Sequence, residues 1–222
     1  FGIDLLRNFA FPYFSRDIAE FWRRWHISLS SWFKDYLYIP LGGSKGGMWM
    51  KIRNTLIIFL LSGFWHGANW TFIVWGFLNA LYIMPSIVFN THRNNLDIVA
   101  SAKYLPTIKE FFSIGITFSL TVFAWIFFRA VSLTHAFSYI SEIFSSSLFT
   151  KPYFPGIGNA MPIVFLTSIF LIVEWLGREQ YYAIAHIGVT WKRPLRHSMY
   201  YAIIIAIFWF GGKEQQFIYF QF

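Results

Sequence analysis

From Thr55 to Phe89 the chain runs for 35 residues without an Asp, Glu, Lys or Arg, and His66 lies inside that run. A stretch of this length and polarity belongs in a bilayer or a deep protein core. An ionisable imidazole there is costly unless it faces other protein groups or a water-filled cavity. The setting Ser62-Gly63-Phe64-Trp65-His66-Gly67-Ala68-Asn69-Trp70-Thr71 also breaks a helix around the histidine. Irregular backbone at membrane depth survives only where it is buried in protein or lines a cavity. His66 is therefore a candidate for chemistry, and a structural histidine satisfied by a backbone carbonyl is the competing reading.

The rest of the composition agrees with a membrane class. Of 222 residues, 56% are hydrophobic, 23% aromatic and only 13% charged, so a soluble domain would expose too much apolar surface. There is no cysteine, which excludes disulfides and thiol catalysis. The first residue is Phe1 and no signal peptide follows, so the chain is read as a fragment of a longer protein. The net charge of +8 reads as topology and not as a nucleic-acid footprint, because the basic residues gather between apolar runs.

Residues 1–54 are aromatic but charged. An apolar stripe of Ile18, Phe21, Trp22, Trp25, Leu29, Trp32, Phe33 and Tyr36 predicts one amphipathic helix, with Arg16, Asp17, Glu20, Arg23, Arg24 and Lys34 off the stripe. Ser15 is the candidate N-cap, and Pro40-Leu41-Gly42-Gly43 ends the helix. Such a helix suits the membrane interface or a wall facing the cytosol. Further membrane helices are expected at 111–128, 162–176 and 199–212.

The basic residues choose between two topologies. A single crossing by 55–89 splits Lys and Arg 11 against 7. A bent hairpin places eight (1–54), three (90–110) and four (177–198) together, 15 against the three at Arg129, Lys151 and Lys213. The positive-inside tendency favours the hairpin, with the Trp65–Trp70 turn near its tip.

Two motifs stand out: Phe21-Trp22-Arg23-Arg24-Trp25-His26-Ile27-Ser28-Leu29-Ser30-Ser31-Trp32-Phe33-Lys34-Asp35-Tyr36, and Phe64-Trp65-His66-Gly67-Ala68-Asn69-Trp70-Thr71-Phe72-Ile73-Val74-Trp75-Gly76. Together they resemble the AlgI-like branch of the membrane-bound O-acyltransferases (MBOAT). Asn8-Phe9, Pro12-Tyr13, Tyr36 to Gly43, Phe127-Phe128-Arg129-Ala130 and the terminal Phe217 to Phe222 fit the same branch. The likeness implies an all-α polytopic transmembrane bundle of the MBOAT type. Residues 1–222 would be the C-terminal part of a single such domain, with an interfacial amphipathic segment at 1–54 and a re-entrant or bent hairpin at 55–89 carrying the catalytic histidine.

The likeness also implies an O-acyltransferase of the bacterial inner membrane. It would take an acyl group, acetyl first among them, from a cytosolic thioester such as acetyl-CoA and pass it to an extracytoplasmic partner protein. The acceptor would be a polysaccharide such as alginate. Peptidoglycan O-acetylation and D-alanyl transfer to teichoic acid are the related alternatives. No cofactor, metal or nucleic acid is called for, and membrane lipid is the surrounding partner. The family's principal histidine maps onto His66 and its second onto His26.

The chemistry has its own logic. Moving an acyl group from a thioester to a hydroxyl needs a base effective near neutrality, and imidazole is the side chain suited to that. Asn69 is a candidate to orient the His66 ring or bind the carbonyl oxygen, and Trp65 and Trp70 to exclude water. His26 would bind the donor or simply pack. Arg23 and Arg24 would pair with donor phosphates or anchor the helix on the cytosolic face. Ser28, Ser30 and Ser31 lack an acidic partner for a triad. Gly42 to Gly47 lacks the P-loop spacing and reads as a loop. Arg129 and Glu174 read as interface anchors or ion-pair members. Outside catalysis, a transporter with His66 as a proton relay and a silent scaffold remain open.

Overall fold

The computed structural model describes residues 6–150 and 157–211, and the described residues form helices and turns without a strand. Lys213 and the terminal motif Phe217 to Phe222 lie outside the described residues, as do Lys151 and the end of the 199–212 run.

The amphipathic N-terminal segment departs from the single helix that its periodicity predicts. The stripe from Ile18 to Tyr36 is not one helix: α1 spans Ile18–Arg24, α2 spans Ile27–Phe33, and a wider turn follows over Lys34–Tyr38. The break falls at Trp25 and His26, where His26 adopts left-handed backbone angles (φ 44, ψ 56). Residues 8–10 cause it by engaging backbone donors and an acceptor at the break. Ile27 N–H donates to Asn8 O at 3.0 Å, Ser28 N–H to Asn8 Oδ1 at 3.1 Å, and Ala10 N–H to Arg24 O at 2.9 Å. The α1 cap is Asp17, whose side chain accepts from Glu20 N–H at 2.7 Å. Ser15 instead donates its hydroxyl to Pro12 O. α1 buries Ile18, Ala19, Glu20 and Phe21 against the rest of the protein.

The hairpin is present and longer than the charge-free run. α3 (Gly47–His66) and α4 (Trp70–Val88) are joined by only Gly67, Ala68 and Asn69. Their register follows from two close approaches: a Cβ on Gly63 would stand 2.3 Å from Phe72 O, and one on Gly76 would stand 2.2 Å from Phe59 O. Glycine at both places lets antiparallel backbones touch, the usual device for joining helices in a membrane.

α5 (Ile108–Arg129) starts in a Thr107/Glu110 capping box and packs along α4, with Trp75, Ala124, Phe127 and Ala136 as the buried centre. α6 (Leu133–Ile143) is capped by the Ser132 side chain on His135 N–H. α7 (Ile157–Leu176) and α8 (Arg193–Phe210) are the last helices among the described residues. α4 and α5 are long and apolar enough to cross a membrane. α7 contributes a shorter apolar stretch, Ala160–Leu176.

The three basic segments meet at one end of the bundle. Arg16 binds Glu20 and Asp97, Arg24 binds Glu20, and Arg23 donates to the His92 and Asn95 carbonyls. The Arg16 guanidinium holds the Asp97 carboxyl below the usual carboxylate range. Arg178, after α7, donates to the carbonyls of Val99, Ala100 and Lys103. Segments 1–54 and 90–110 thus meet in direct contacts, and Arg178 ties the start of the third segment to them.

Candidate active site

His66 is the last residue of α3, half-buried at the tip of the hairpin. Aromatic rings hold it on several sides. Trp65 stands edge-on at 4.9 Å between ring centroids, Phe128 of α5 at 4.9 Å and Trp75 of α4 at 5.3 Å. Phe128 also packs on Phe72 (5.1 Å) and Trp75 (5.2 Å), so the histidine's pocket is made from both flanking helices.

His26 sits at the α1–α2 break, where its left-handed backbone turns the side chain off the helical stripe. Its Nδ1 is buried without a hydrogen-bond partner, and so is the Trp22 Nε1 one turn earlier. Unpartnered buried polar atoms are uncommon and point to a site completed by something else.

One cavity of about 1010 Å³ is lined by both histidines. Its wall includes Trp22, Trp25, Phe59, Trp75, Trp125 and Phe128. Arg23, Lys34, Lys51, Arg93 and Arg129 also line it, with no Asp or Glu among the lining residues. The cations divide by position. Lys51 lies 15 residues before His66 on α3, about 22 Å at 1.5 Å per residue. Arg93 follows the far end of the antiparallel α4, so it belongs to the Lys51 end. Arg129 ends α5 beside Phe128 and belongs to the His66 end. Among the described residues no cluster of His, Asp or Glu could hold a metal ion.

The arrangement places three imidazoles on one cavity, those of His26, His66 and His92, with an aromatic wall that limits water and a basic mouth remote from His66. Residues 1–128, more than half of the chain, match the profile of MBOAT, the membrane-bound O-acyltransferase family. The chain belongs to that family. This MBOAT chain is 36% identical over 183 residues to the probable alginate O-acetylase AlgI of Azotobacter vinelandii, covering 82% of itself and 34% of that relative. It is 33% identical over 239 residues to the Pseudomonas putida protein of the same name, covering 100% of itself and 47% of the relative. A peptidoglycan O-acetyltransferase of Helicobacter pylori is 44% identical over 136 residues, or 61% of this chain and 24% of that protein. The chain thus spans from 24% to 47% of the length of these relatives.

Of the residues singled out by the sequence, His66, His26 and Arg23 share the MBOAT cavity, whereas Asn69, Trp65, Trp70 and Arg24 are not in its lining. The Asn69 side chain caps α4: its Oδ1 accepts from Thr71 N–H at 3.1 Å, and its Nδ2 donates to Val131 O at 3.2 Å. Trp65 and Trp70 are 46% and 72% exposed, so the wall around His66 is completed by Trp75, Phe72 and Phe128. Arg24 holds Glu20 and the Ala10 carbonyl. Arg23 is engaged with two carbonyls, which leaves Lys34, Lys51 and Arg93 as the cations of the mouth without a salt bridge among the described residues.

Sequence reasoning missed Trp75, Phe128 and the mouth cations. Trp75 had a signal: Thr71, Trp75 and Asn79 recur every four residues and are all buried on α4. Phe128 stood in a quoted motif without a role. Lys34, Lys51 and Arg93 come from separate segments, so no spacing joins them.

Proposed function

We propose that this chain carries the acyl-transfer centre of a multi-pass membrane O-acyltransferase of the bacterial inner membrane, which moves an acetyl group from a cytosolic thioester towards an extracytoplasmic polysaccharide of the alginate type. One observation carries the reading: a single acid-free cavity joins two histidines 40 residues apart to a basic mouth about 22 Å of helix away.

The mouth, at the end where 15 of the 18 basic residues fall by sequence, faces the cytosol under the positive-inside tendency. Lys34, Lys51 and Arg93 there suit the phosphates of acetyl-CoA or of another phosphopantetheine thioester. The arm of such a donor lies along the apolar wall, and its thioester reaches His66. A hydroxyl of the acceptor, presented by the extracytoplasmic partner, loses its proton to His66 as its oxygen bonds to the thioester carbon. The carbonyl electron pair moves onto oxygen. When it returns, the carbon–sulfur bond breaks and the thiolate takes the proton from His66. His26, on the same cavity, positions the donor.

The test is His66→Ala in the full-length protein, with ester-linked acetyl groups on the cell's polysaccharides measured after mild alkaline release. Acetylation should fall by about 100-fold or more, the usual contribution of a general base. Normal acetylation at wild-type membrane abundance would show the base assignment to be wrong. The Helicobacter pylori relative favours a second acceptor, peptidoglycan. Acetyl esters on muramyl residues instead of exopolysaccharide would select it, and D-alanyl esters would replace acetyl as the group moved.

A further inference from the structure

Base catalysis of acyl transfer leaves a second demand unmet, because negative charge grows on the thioester oxygen and needs a donor or cation in place before it forms. The obvious candidate by sequence, Asn69, has its side chain engaged by Thr71 N–H and Val131 O. Any such group must reach the His66 end of the cavity from elsewhere.

Arg129 is the cation there. It follows Phe128, whose ring stands 4.9 Å from that of His66, and it lines the same cavity. Two ties fix this corner against the hairpin tip. Phe128 is packed between Phe72 and Trp75 of α4, and Asn69, in the tip turn three residues after His66, holds the Val131 carbonyl two residues beyond Arg129. The Arg129 side chain is exposed at the end of α5 and not locked into the protein interior. None of the salt bridges among the described residues includes Arg129, and no carboxylate lines the cavity to neutralise it. The other cavity cations belong to its opposite half or, as with Arg23, are held by loop carbonyls.

We propose, resting on the acyl-transfer reading above, that Arg129 supplies the positive charge that stabilises the oxyanion formed when His66 activates the acceptor hydroxyl. The guanidinium gains its partner only as charge develops, so its absence slows turnover more than it weakens donor binding. Two plainer duties compete with this one. A cation at a helix C-terminus complements the helix dipole, and a long side chain at a membrane boundary reaches for headgroups. Lysine performs both of those as well as arginine does, but lacks the planar fork.

The experiment uses inside-out membrane vesicles carrying the full-length protein, with radiolabelled acetyl-CoA as the probe and initial rates of ester formation expressed per molecule of protein. Arg129→Ala should be about 100-fold slower at little-changed KM, and added guanidinium chloride should restore part of the rate. Arg129→Lys should remain about tenfold slow, since a point charge replaces the fork. Arg129→Ala at the wild-type rate overturns the proposal, and so does Arg129→Lys at the wild-type rate with no guanidinium effect on the alanine variant. If Arg129→Ala is lost from the membrane, the lysine variant decides by the same criterion. Wild-type vesicles that leave acetyl-CoA untouched, or His66→Ala vesicles as fast as wild type, overturn the acetyl-transfer reading itself.

Discussion

At the residue scale the two histidines are held by different means. His66 needs no unusual backbone, because the end of α3 and a ring of aromatic side chains set its place. His26 is placed by its backbone: a left-handed residue other than glycine costs about 1–2 kcal/mol, and the bonds from Asn8 and Ala10 to the α1–α2 break offset that cost. Strain of this kind persists where the surroundings over-determine it, often at functional sites. His26→Gly separates the two roles of the position. Glycine relieves the left-handed strain while adding about 0.5–1 kcal/mol of chain entropy to be lost on folding, so stability should change little. The thermal midpoint of the full-length protein in nanodiscs should stay close to wild type while the acetyl-transfer rate falls by about tenfold or more, as expected for a lost positioning or acid–base group. A midpoint that collapses together with activity would make His26 a packing residue.

At the element scale the hairpin depends on two glycines. Gly63 and Gly76 each bring one helix against the other's carbonyl, so a methyl at either must push α3 from α4. Gly76→Ala should destabilise the protein by about 1–3 kcal/mol, the usual range for overpacking, and shift Trp75 against His66. Gly115→Ala on α5, where an added Cβ meets nothing within 4 Å, is the control and should be neutral or slightly stabilising. Thermal unfolding of the two variants checks this, and equal midpoints would contradict the packing argument. Much of this architecture was legible in the sequence. The charge-free run with glycines around His66 announced a bent hairpin, and the basic segments announced which loops lie together. The α1–α2 break was not legible, because periodicity reports which face is apolar and is blind to Asn8, which lies some 20 residues away and takes the donors of Ile27 and Ser28. The capping role of Asn69 was hidden for a similar reason. A polar residue next to a candidate base invites a catalytic reading, and only the position of the α4 start shows that its side chain closes a helix end.

At the scale of the whole molecule, charge and packing give one orientation. Arg16, Arg23 and Arg178 sew the segments 1–54, 90–107 and 175–180 into one basic end, while α5 and the start of α7 extend to the other. The cavity is lined by Lys51 and Arg93 towards the basic end and by His66 and Arg129 towards the other, so under the proposed function a donor whose phosphates bind at the basic end would extend its thioester to His66. That geometry requires the loop after α4 to face the cytosol and the segment after α6 to face outward. The chain contains no cysteine, so single thiols can report each side without removal of native ones from this region. Asn94→Cys and Ser146→Cys both place the thiol at exposed positions, the first in the loop after α4 and the second just beyond α6. In intact cells a membrane-impermeant maleimide should label the Ser146 variant and spare the Asn94 variant, and permeabilisation should make the two equally reactive. Labelling of Asn94→Cys from outside would place the basic mouth away from the cytosolic thioester pool. The donor would then have to approach His66 from the wrong side, and the transfer reading would fail at the scale of the molecule even if both histidines proved essential.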